Sequence, residues 1–176
     1  MQDSRLDEKD HIQNYTGVEA VKKLKEMAED ARMCFFTTFS DTRPLPSRPM
    51  ALQGVDEDGT LNFFSAKSSN KNYELHENPA VQLYFANGGS SEYLSVYGKA
   101  TISQDMAKIN ELWTAWAKAW FQGGPEDPEL TLIQVKPEVS EYWDTKVNKV
   151  VSLIKIAASI VTGKVNDDGV EGKLNI

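Results

Sequence analysis

The stretch LNFFSAKSSNK (61–71) shows most directly how this chain folds. Its first six residues, LNFFSA, are largely apolar and aromatic and predict a buried β-strand. The residues that follow carry hydroxyl groups, and Ser69 is well suited to cap a helix over about 70–77. That helix has to end at Asn78-Pro79, because the residue before a proline avoids helical backbone angles. The chain then returns to a strand at AVQLYFA (80–86).

Further short runs rich in β-branched and aromatic residues predict the rest of a sheet. They are MCFFTTF (33–39), RPMALQGV (48–55), EYLSVYGKATI (92–102), LTLIQVK (130–136) and VSEYWD (139–144). The turn sequences DEDG (56–59) and NGGS (87–90) predict hairpins between neighbouring strands. Short strands at close spacing, with few long helices, indicate an antiparallel barrel or sandwich.

Apolar residues at helical spacing predict three further helices. The first covers about 17–31 and begins at a capping box formed by Thr16 and Glu19. The second covers about 105–121 and carries a stripe of tryptophans, which is more typical of core packing than of a cofactor site. The third covers 149–162, with Gly163 as its stop signal.

The chain has 176 residues, a length that suits one domain. We expect a flexible arm at 1–15, a domain at 16–163 and an irregular tail at 164–176. Its net charge of −7 argues against broad nucleic-acid binding, which needs clustered basic residues. Residues 1–14 are polar and the most apolar run, 150–161, is short, so we expect neither a signal peptide nor a membrane partner. The single cysteine fits a reducing compartment, and we expect a cytoplasmic protein.

Familiar catalytic and metal-binding signatures are absent from the sequence. His11 and His76 are far apart and have no partner at ligand spacing, so no metal site is predicted. Cys34 lies in an apolar strand, which favours a buried, inert thiol over a nucleophile. No residue stands out as a general acid or base, and we therefore predict no catalytic residue.

Two segments carry features of an anion site. Arg48 enters an otherwise apolar strand and could present its guanidinium to an anion, although a surface ion pair is the simpler interpretation. The helix that begins after Ser69 offers free amide groups and the positive end of its dipole, and Lys71 adds a full charge. For this second segment the simpler interpretation is an ordinary helix cap beside a solvated lysine.

The ordered set of segments resembles the flavin-binding split-barrel family of pyridoxamine 5'-phosphate oxidase, and in particular its general-stress-protein subgroup. The resemblance runs from about 16 to 163. It is carried by SRPMAL (47–52), LNFFSAKSSNK (61–71), HENPAVQLYF (76–85), YLSVYGKATI (93–102), WFQGGPEDPELTLIQV (120–135) and EYWD (141–144).

The resemblance implies a mainly β fold with flanking helices, built as a six-stranded antiparallel Greek-key split barrel. It also implies a homodimer with FMN in a groove between the subunits. Arg48, Asn70 and Lys71, with Ser69 before them, match positions near the flavin phosphate. The ring would lie along the strands that contain Pro49, Met50, Ala51, Phe64 and Ser65. Trp120 and Trp143 match aromatic positions near the flavin.

The chain departs from the oxidase in three places. Asn70 stands where the oxidase has an arginine, and Tyr93 stands where it has a glutamine. The Arg-x-His segment that holds pyridoxal phosphate in the oxidase has no counterpart after Trp143. Vitamin B6 oxidation is therefore not expected, whereas flavin binding is. FMN is the expected cofactor, and FAD or a deazaflavin would fit the same groove.

Three functions follow from this resemblance. The first is a cytoplasmic flavin-dependent oxidoreductase that is reduced by an organic donor or by NAD(P)H. The second is a flavin carrier or stress-linked sensor without turnover. The third is a barrel that binds no flavin and acts as an interaction module.

Overall fold

A closed β-barrel flanked by three helices forms the part of the chain that the structure describes. This computed structural model describes residues 12–115, 117–145 and 169–176. The helices are α1 (Val18–Ala31), α2 (Asn70–Glu77) and α3 (Met106–Leu112). The strands are β1 (Tyr15–Thr16), β2 (Met33–Thr38), β3 (Ser47–Val55), β4 (Leu61–Ala66), β5 (Ala80–Asn87), β6 (Glu92–Ser103), β7 (Leu130–Thr145) and β8 (Gly169–Asn175).

Six of these strands close into the barrel, in the order β7-β4-β3-β2-β5-β6, with β6 pairing back to β7. Every pairing among the six is antiparallel, which confirms the predicted six-stranded antiparallel barrel. Both predicted hairpins are present, because β3 pairs with β4 and β5 pairs with β6.

The interior of the barrel is apolar because alternate strand residues point inward. Phe36 and Phe63 meet edge to face inside it, with ring centroids 5.4 Å apart. Helix α1 adds Ala20, Leu24 and Met27 to the same cluster. Leu24 is fully buried, so this helix is held by its apolar stripe.

Strand β7 is longer than predicted, because the predicted segments 130–136 and 139–144 form one strand. The register against β6 shifts between Tyr97, which faces Val139, and Gly98, which faces Pro137. Glu138 is therefore the extra residue of a β-bulge. A bulge tolerates the missing amide of Pro137, so the strand continues through the proline.

The ends of the first predicted helix and of the chain differ from expectation. Thr16 belongs to β1 and pairs with Asn175, so the predicted capping box is wrong. Gly17, at φ 57°, takes the N-cap position of α1 instead. The predicted irregular tail is wrong over β8, which pairs with the end of β7. The predicted flexible arm is tied to β8 from Ile12 onward.

The tryptophan-rich helix is also shorter than predicted. It ends at Leu112, and Trp113 adopts an extended backbone at its C-cap. The Trp113 ring lies 5.9 Å from that of Phe64, so tertiary packing ends the helix where periodicity alone would continue it. The predicted helix at 149–162 lies outside the described residues. No helix in the described ranges is long and apolar enough to cross a membrane.

We expect Gly98→Ala to destabilise the barrel. An added Cβ would press on the carbonyl group of Lys136 and lie 3.2 Å from Cα of Pro137, so β6 and β7 would have to separate. The expected cost is about 2–3 kcal/mol in the free energy of unfolding, measured by urea denaturation. Gly88→Ala is the control, since a Cβ there meets nothing within 4 Å. Equal stability of the two variants would contradict the close approach of the strands.

Candidate functional site

A buried polar network fixes the junction between β4 and α2. Ser65 donates a hydrogen bond to Oδ1 of Asn72 at 2.8 Å. Nδ2 of Asn72 donates to Thr131 at 3.0 Å, and the Thr131 hydroxyl donates to the carbonyl of Ser65 at 2.8 Å. All three side chains are buried. Because these three hydrogen bonds form a closed ring, they hold the start of α2 against β4 and β7.

Ser69 occupies the predicted N-cap position of α2, but its side chain makes no cap hydrogen bond. The hydroxyl instead lies 3.0 Å from Oγ of Ser65 and donates to Asn72. The predicted helix boundaries are confirmed, whereas capping by the Ser69 side chain is wrong. The buried network takes the hydroxyl away from the helix amides. A carboxylate also lies nearby, since Glu129 accepts from the backbone amide of Ser68 at 3.3 Å.

Arg48 lies at the beginning of β3 and forms an ion pair with α2. Its Nη2 is 2.7 Å from Oε2 of Glu74, and its Nη1 donates to Oγ1 of Thr38 at 2.8 Å. Thr38 is fully buried and donates to the same Glu74 oxygen at 2.5 Å. The guanidinium is thus fixed at one end of the barrel, where β2 ends and β3 begins.

Lys71 lies in the first turn of α2 and is close enough to Arg48 for their charges to interact. Burial lowers the pKa of the Lys71 ammonium, and the positive charge of Arg48 lowers it further. Glu74 opposes both effects and raises the same pKa. Arg48, Lys71 and Glu74 therefore share this end of the barrel, and an incoming anion would relieve the repulsion between the cations.

The other predicted residues of β3 divide between the two faces of the strand. Met50 points inward and joins the core, whereas Pro49 and Ala51 are exposed on the outside of the barrel. Asn70 is exposed beside Lys71 at the start of α2. The structure thus brings Asn70 and Lys71 to the barrel end that carries Arg48.

Phe64 lies outside the main core, in a smaller cluster under α3. It packs at an angle on Trp113 and meets Phe121 edge to face at 6.5 Å. Ser65, the next residue, points the other way into the buried network. Trp120 is 79% exposed next to this cluster, whereas the side chain of Trp113 is partly buried in it.

Trp143 lies far from the cations of its own chain. Ala66, the last residue of β4, pairs with Leu130 at the first residue of β7. Trp143 lies near the other end of that 16-residue strand, opposite Tyr93. Both aromatic side chains are substantially exposed, at 39% and 48%. Within one chain, Trp143 and Lys71 are therefore at opposite ends of the barrel.

An acidic cleft of about 510 Å³ also has Glu74 in its lining. Its lining includes the aromatic side chains of Phe39 and Tyr73 and the carboxylates of Asp41, Glu74 and Glu77. Cys34 is elsewhere in the core, and its burial raises the pKa of the thiol to about 12, in line with the predicted inert role. Within the described residues, no group of three His, Cys, Asp or Glu could hold a metal ion.

Sequence reasoning missed four residues that shape this site: Thr38, Asn72, Glu74 and Thr131. Two of them had a signal in the sequence. Asn72 lies three residues after Ser69, and Glu74 lies three residues after Lys71, so each pair shares one face of the helix. Thr38 and Thr131 carried no local signal, because their partners are distant in sequence.

Known proteins with this fold are similar to the chain along most of its length. The bli-3 protein of Neurospora crassa is 31% identical over 137 residues, covering 73% of this chain and 66% of that protein, just under two thirds of its length. A Jannaschia protein provisionally called general stress protein 26 has a TM-score of 0.72 at 24% identity, covering 90% and 96% of the two chains. A general stress FMN/FAD binding protein from Xanthomonas citri has a TM-score of 0.62 at 23% identity, covering 73% and 90%.

The family relationship rests on a match to a family model that spans most of the chain. Residues 19–167 match the family described as pyridoxamine 5'-phosphate oxidase like, and this segment includes both cations and every strand of the barrel. The chain therefore belongs to the pyridoxamine 5'-phosphate oxidase-like family.

Proposed function

We propose that this chain is a cytoplasmic flavoprotein that binds FMN and acts as an oxidoreductase on a substrate other than pyridoxamine 5'-phosphate. The observation that carries the proposal is the proximity of Arg48 and Lys71, since α2 offers both Lys71 and its first backbone amides and β3 offers Arg48. The Xanthomonas relative, named for FMN/FAD binding, supports the same cofactor class.

The residues at this end of the barrel fit a phosphate group. Lys71 is half-buried, and the positive charge of Arg48 lowers the pKa of its ammonium group. An anion bound beside both cations would therefore be electrostatically favourable. The Ser69 side chain leaves the helix amides uncapped. In this proposal Arg48, Ser69, Asn70 and Lys71 hold the phosphate, and the backbones of β3 and β4 hold the ring. A bound flavin would supply reversible electron transfer, which the protein's side chains do not provide.

A second copy of the chain would complete the site. The outer face of the barrel carries exposed apolar residues on five neighbouring strands: Met33, Phe35, Pro49, Ala51, Tyr84, Tyr93 and Trp143. Phe35 faces Pro49 on β3 and Tyr84 on β5, so the patch is continuous across three strands. An apolar, aromatic patch of this kind is typical of a homodimer interface. We propose that the dimer brings Trp143 of one chain towards the phosphate site of the other.

A flavin carrier or sensor is the second candidate. It is favoured by the C-terminal sequence, which has neither arginine nor histidine after Trp143 to bind a phosphorylated substrate. Anaerobic mixing of flavin-loaded protein with NADH or NADPH distinguishes the two candidates. Bleaching of the flavin absorption faster than that of free FMN supports the oxidoreductase, and an equal rate supports the carrier.

Lys71→Ala should weaken FMN binding by roughly 10- to 100-fold, because a charge-assisted hydrogen bond is worth about 1.5–3 kcal/mol. Riboflavin has the same ring and no phosphate, so its affinity should barely change. Fluorescence titration with both ligands provides the measurement. Lys67→Ala, an exposed lysine just before α2, is the matched control. Equal losses for both ligands would indicate structural damage, and no loss for either would remove the phosphate assignment.

Phe35→Glu should convert the dimer into a monomer, because a carboxylate in the middle of an apolar interface has no partner. Light scattering of the flavin-loaded protein at micromolar concentration measures the mass. Val18→Glu is the control, since Val18 is 83% exposed on α1 and lies outside the patch. A monomeric mass for the unmodified protein would contradict the dimer.

Pyridoxamine 5'-phosphate should not be oxidised at a useful rate. The chain has no counterpart of the Arg-x-His segment that binds the substrate phosphate in the oxidase. Each missing charge-assisted hydrogen bond weakens substrate binding by about 1.5–3 kcal/mol. The assay is peroxide production by the flavin-loaded protein after addition of this substrate. Sustained peroxide production would show that another part of the chain replaces the missing segment.

A further inference from the structure

The guanidinium of Arg48 is already occupied by groups of its own chain. Glu74 and the Thr38 hydroxyl each contact one of its terminal nitrogens, and Thr38 also donates to the Glu74 carboxylate. The three side chains come from β3, α2 and β2 and form a closed triangle. Any phosphate that binds Arg48 has to share the guanidinium with Glu74 or displace it.

We propose that Glu74 is a resident counter-anion of the phosphate site, and that it sets how strongly the site prefers a phosphorylated flavin to its phosphate-free form. The inference rests on the proposed function, because it assumes that Arg48 and Lys71 receive a phosphate.

The burial of the pair distinguishes it from an ordinary surface ion pair. The side chains of Arg48 and Glu74 are only 24% and 21% exposed, and both bond to Thr38, which is fully buried. Exposed ion pairs are screened by solvent and hold their partners loosely. Here the buried hydroxyl fixes the carboxylate against the guanidinium, so its charge acts on the site at short range.

The charge balance gives Glu74 two opposing effects. In the flavin-free protein its negative charge offsets the repulsion between Arg48 and Lys71, as the opposing influences on the pKa of Lys71 indicate. When a phosphate arrives, the same carboxylate repels it and competes for Arg48. Glu74 therefore stabilises the flavin-free protein and weakens phosphate binding.

Glu74→Gln tests the inference, because glutamine keeps an oxygen that can accept from Arg48 and Thr38 but removes the charge. We expect the variant to bind FMN roughly three- to tenfold more tightly, with riboflavin affinity unchanged. The flavin-free variant should melt at a lower temperature, and inorganic phosphate should raise that temperature more than in the unmodified protein. Glu77→Gln, an exposed carboxylate one turn further along α2, is the matched control and should change FMN affinity less than twofold.

The outcomes separate this inference from the proposed function. If the unmodified protein binds no flavin, the proposed function fails. If it binds FMN more tightly than riboflavin but Glu74→Gln gives no gain for FMN, the counter-anion role is wrong and the flavin site stands. Equal gains for both ligands would also overturn it, since the effect would then act on the fold. Glu74→Ala is the second variant, and it decides the question by the same FMN-to-riboflavin ratio if the glutamine variant does not fold.

Discussion

The buried hydrogen bonds of Asn72 hold together the end of the barrel that carries the candidate site. An unpaired amide at this depth would be costly, so its bonds to Ser65 and Thr131 have to form together with the fold. They join α2 to both β4 and β7, and they draw the Ser69 hydroxyl away from the helix amides. The same interaction therefore positions Lys71 and leaves α2 without a side-chain cap from Ser69.

In the proposed site, Glu74 reduces the repulsion between Arg48 and Lys71 in the flavin-free chain while both cations still attract a phosphate. Two cations alone would repel each other in a half-buried place, and Glu74 reduces that repulsion. Glu129 adds a second carboxylate beside the amide of Ser68. In the proposed site a phosphate would therefore gain less than it would from two unopposed cations. In the proposed site, Glu74 thus increases the stability of the flavin-free protein and lowers its affinity for phosphate.

Local chemistry predicted much of the fold. A serine before α2 and an Asn-Pro pair after it predict its bounds, and short runs of β-branched and aromatic residues predict the strands. The predicted length of the tryptophan-rich helix is wrong because Trp113 adopts an extended backbone and packs on Phe64. The predicted capping role of Thr16 is wrong because Thr16 pairs with β8, which lies at the other end of the sequence. Likewise, Arg48 and Lys71 were visible as cations, whereas the pairing of Arg48 with Glu74 and Thr38 depends on contacts between separate elements.

The distance between the two groups of predicted site residues bears on how the site is completed. Arg48 and Lys71 lie where β7 begins, and Trp143 lies where it ends, on the outward face with Tyr93. One chain cannot present both groups to the same small molecule. A two-fold axis through the apolar outer face would set the end of one barrel against the beginning of the other, and by symmetry it would do so twice. In the proposed dimer each flavin therefore depends on residues of both chains, so interface formation and cofactor binding have to strengthen each other.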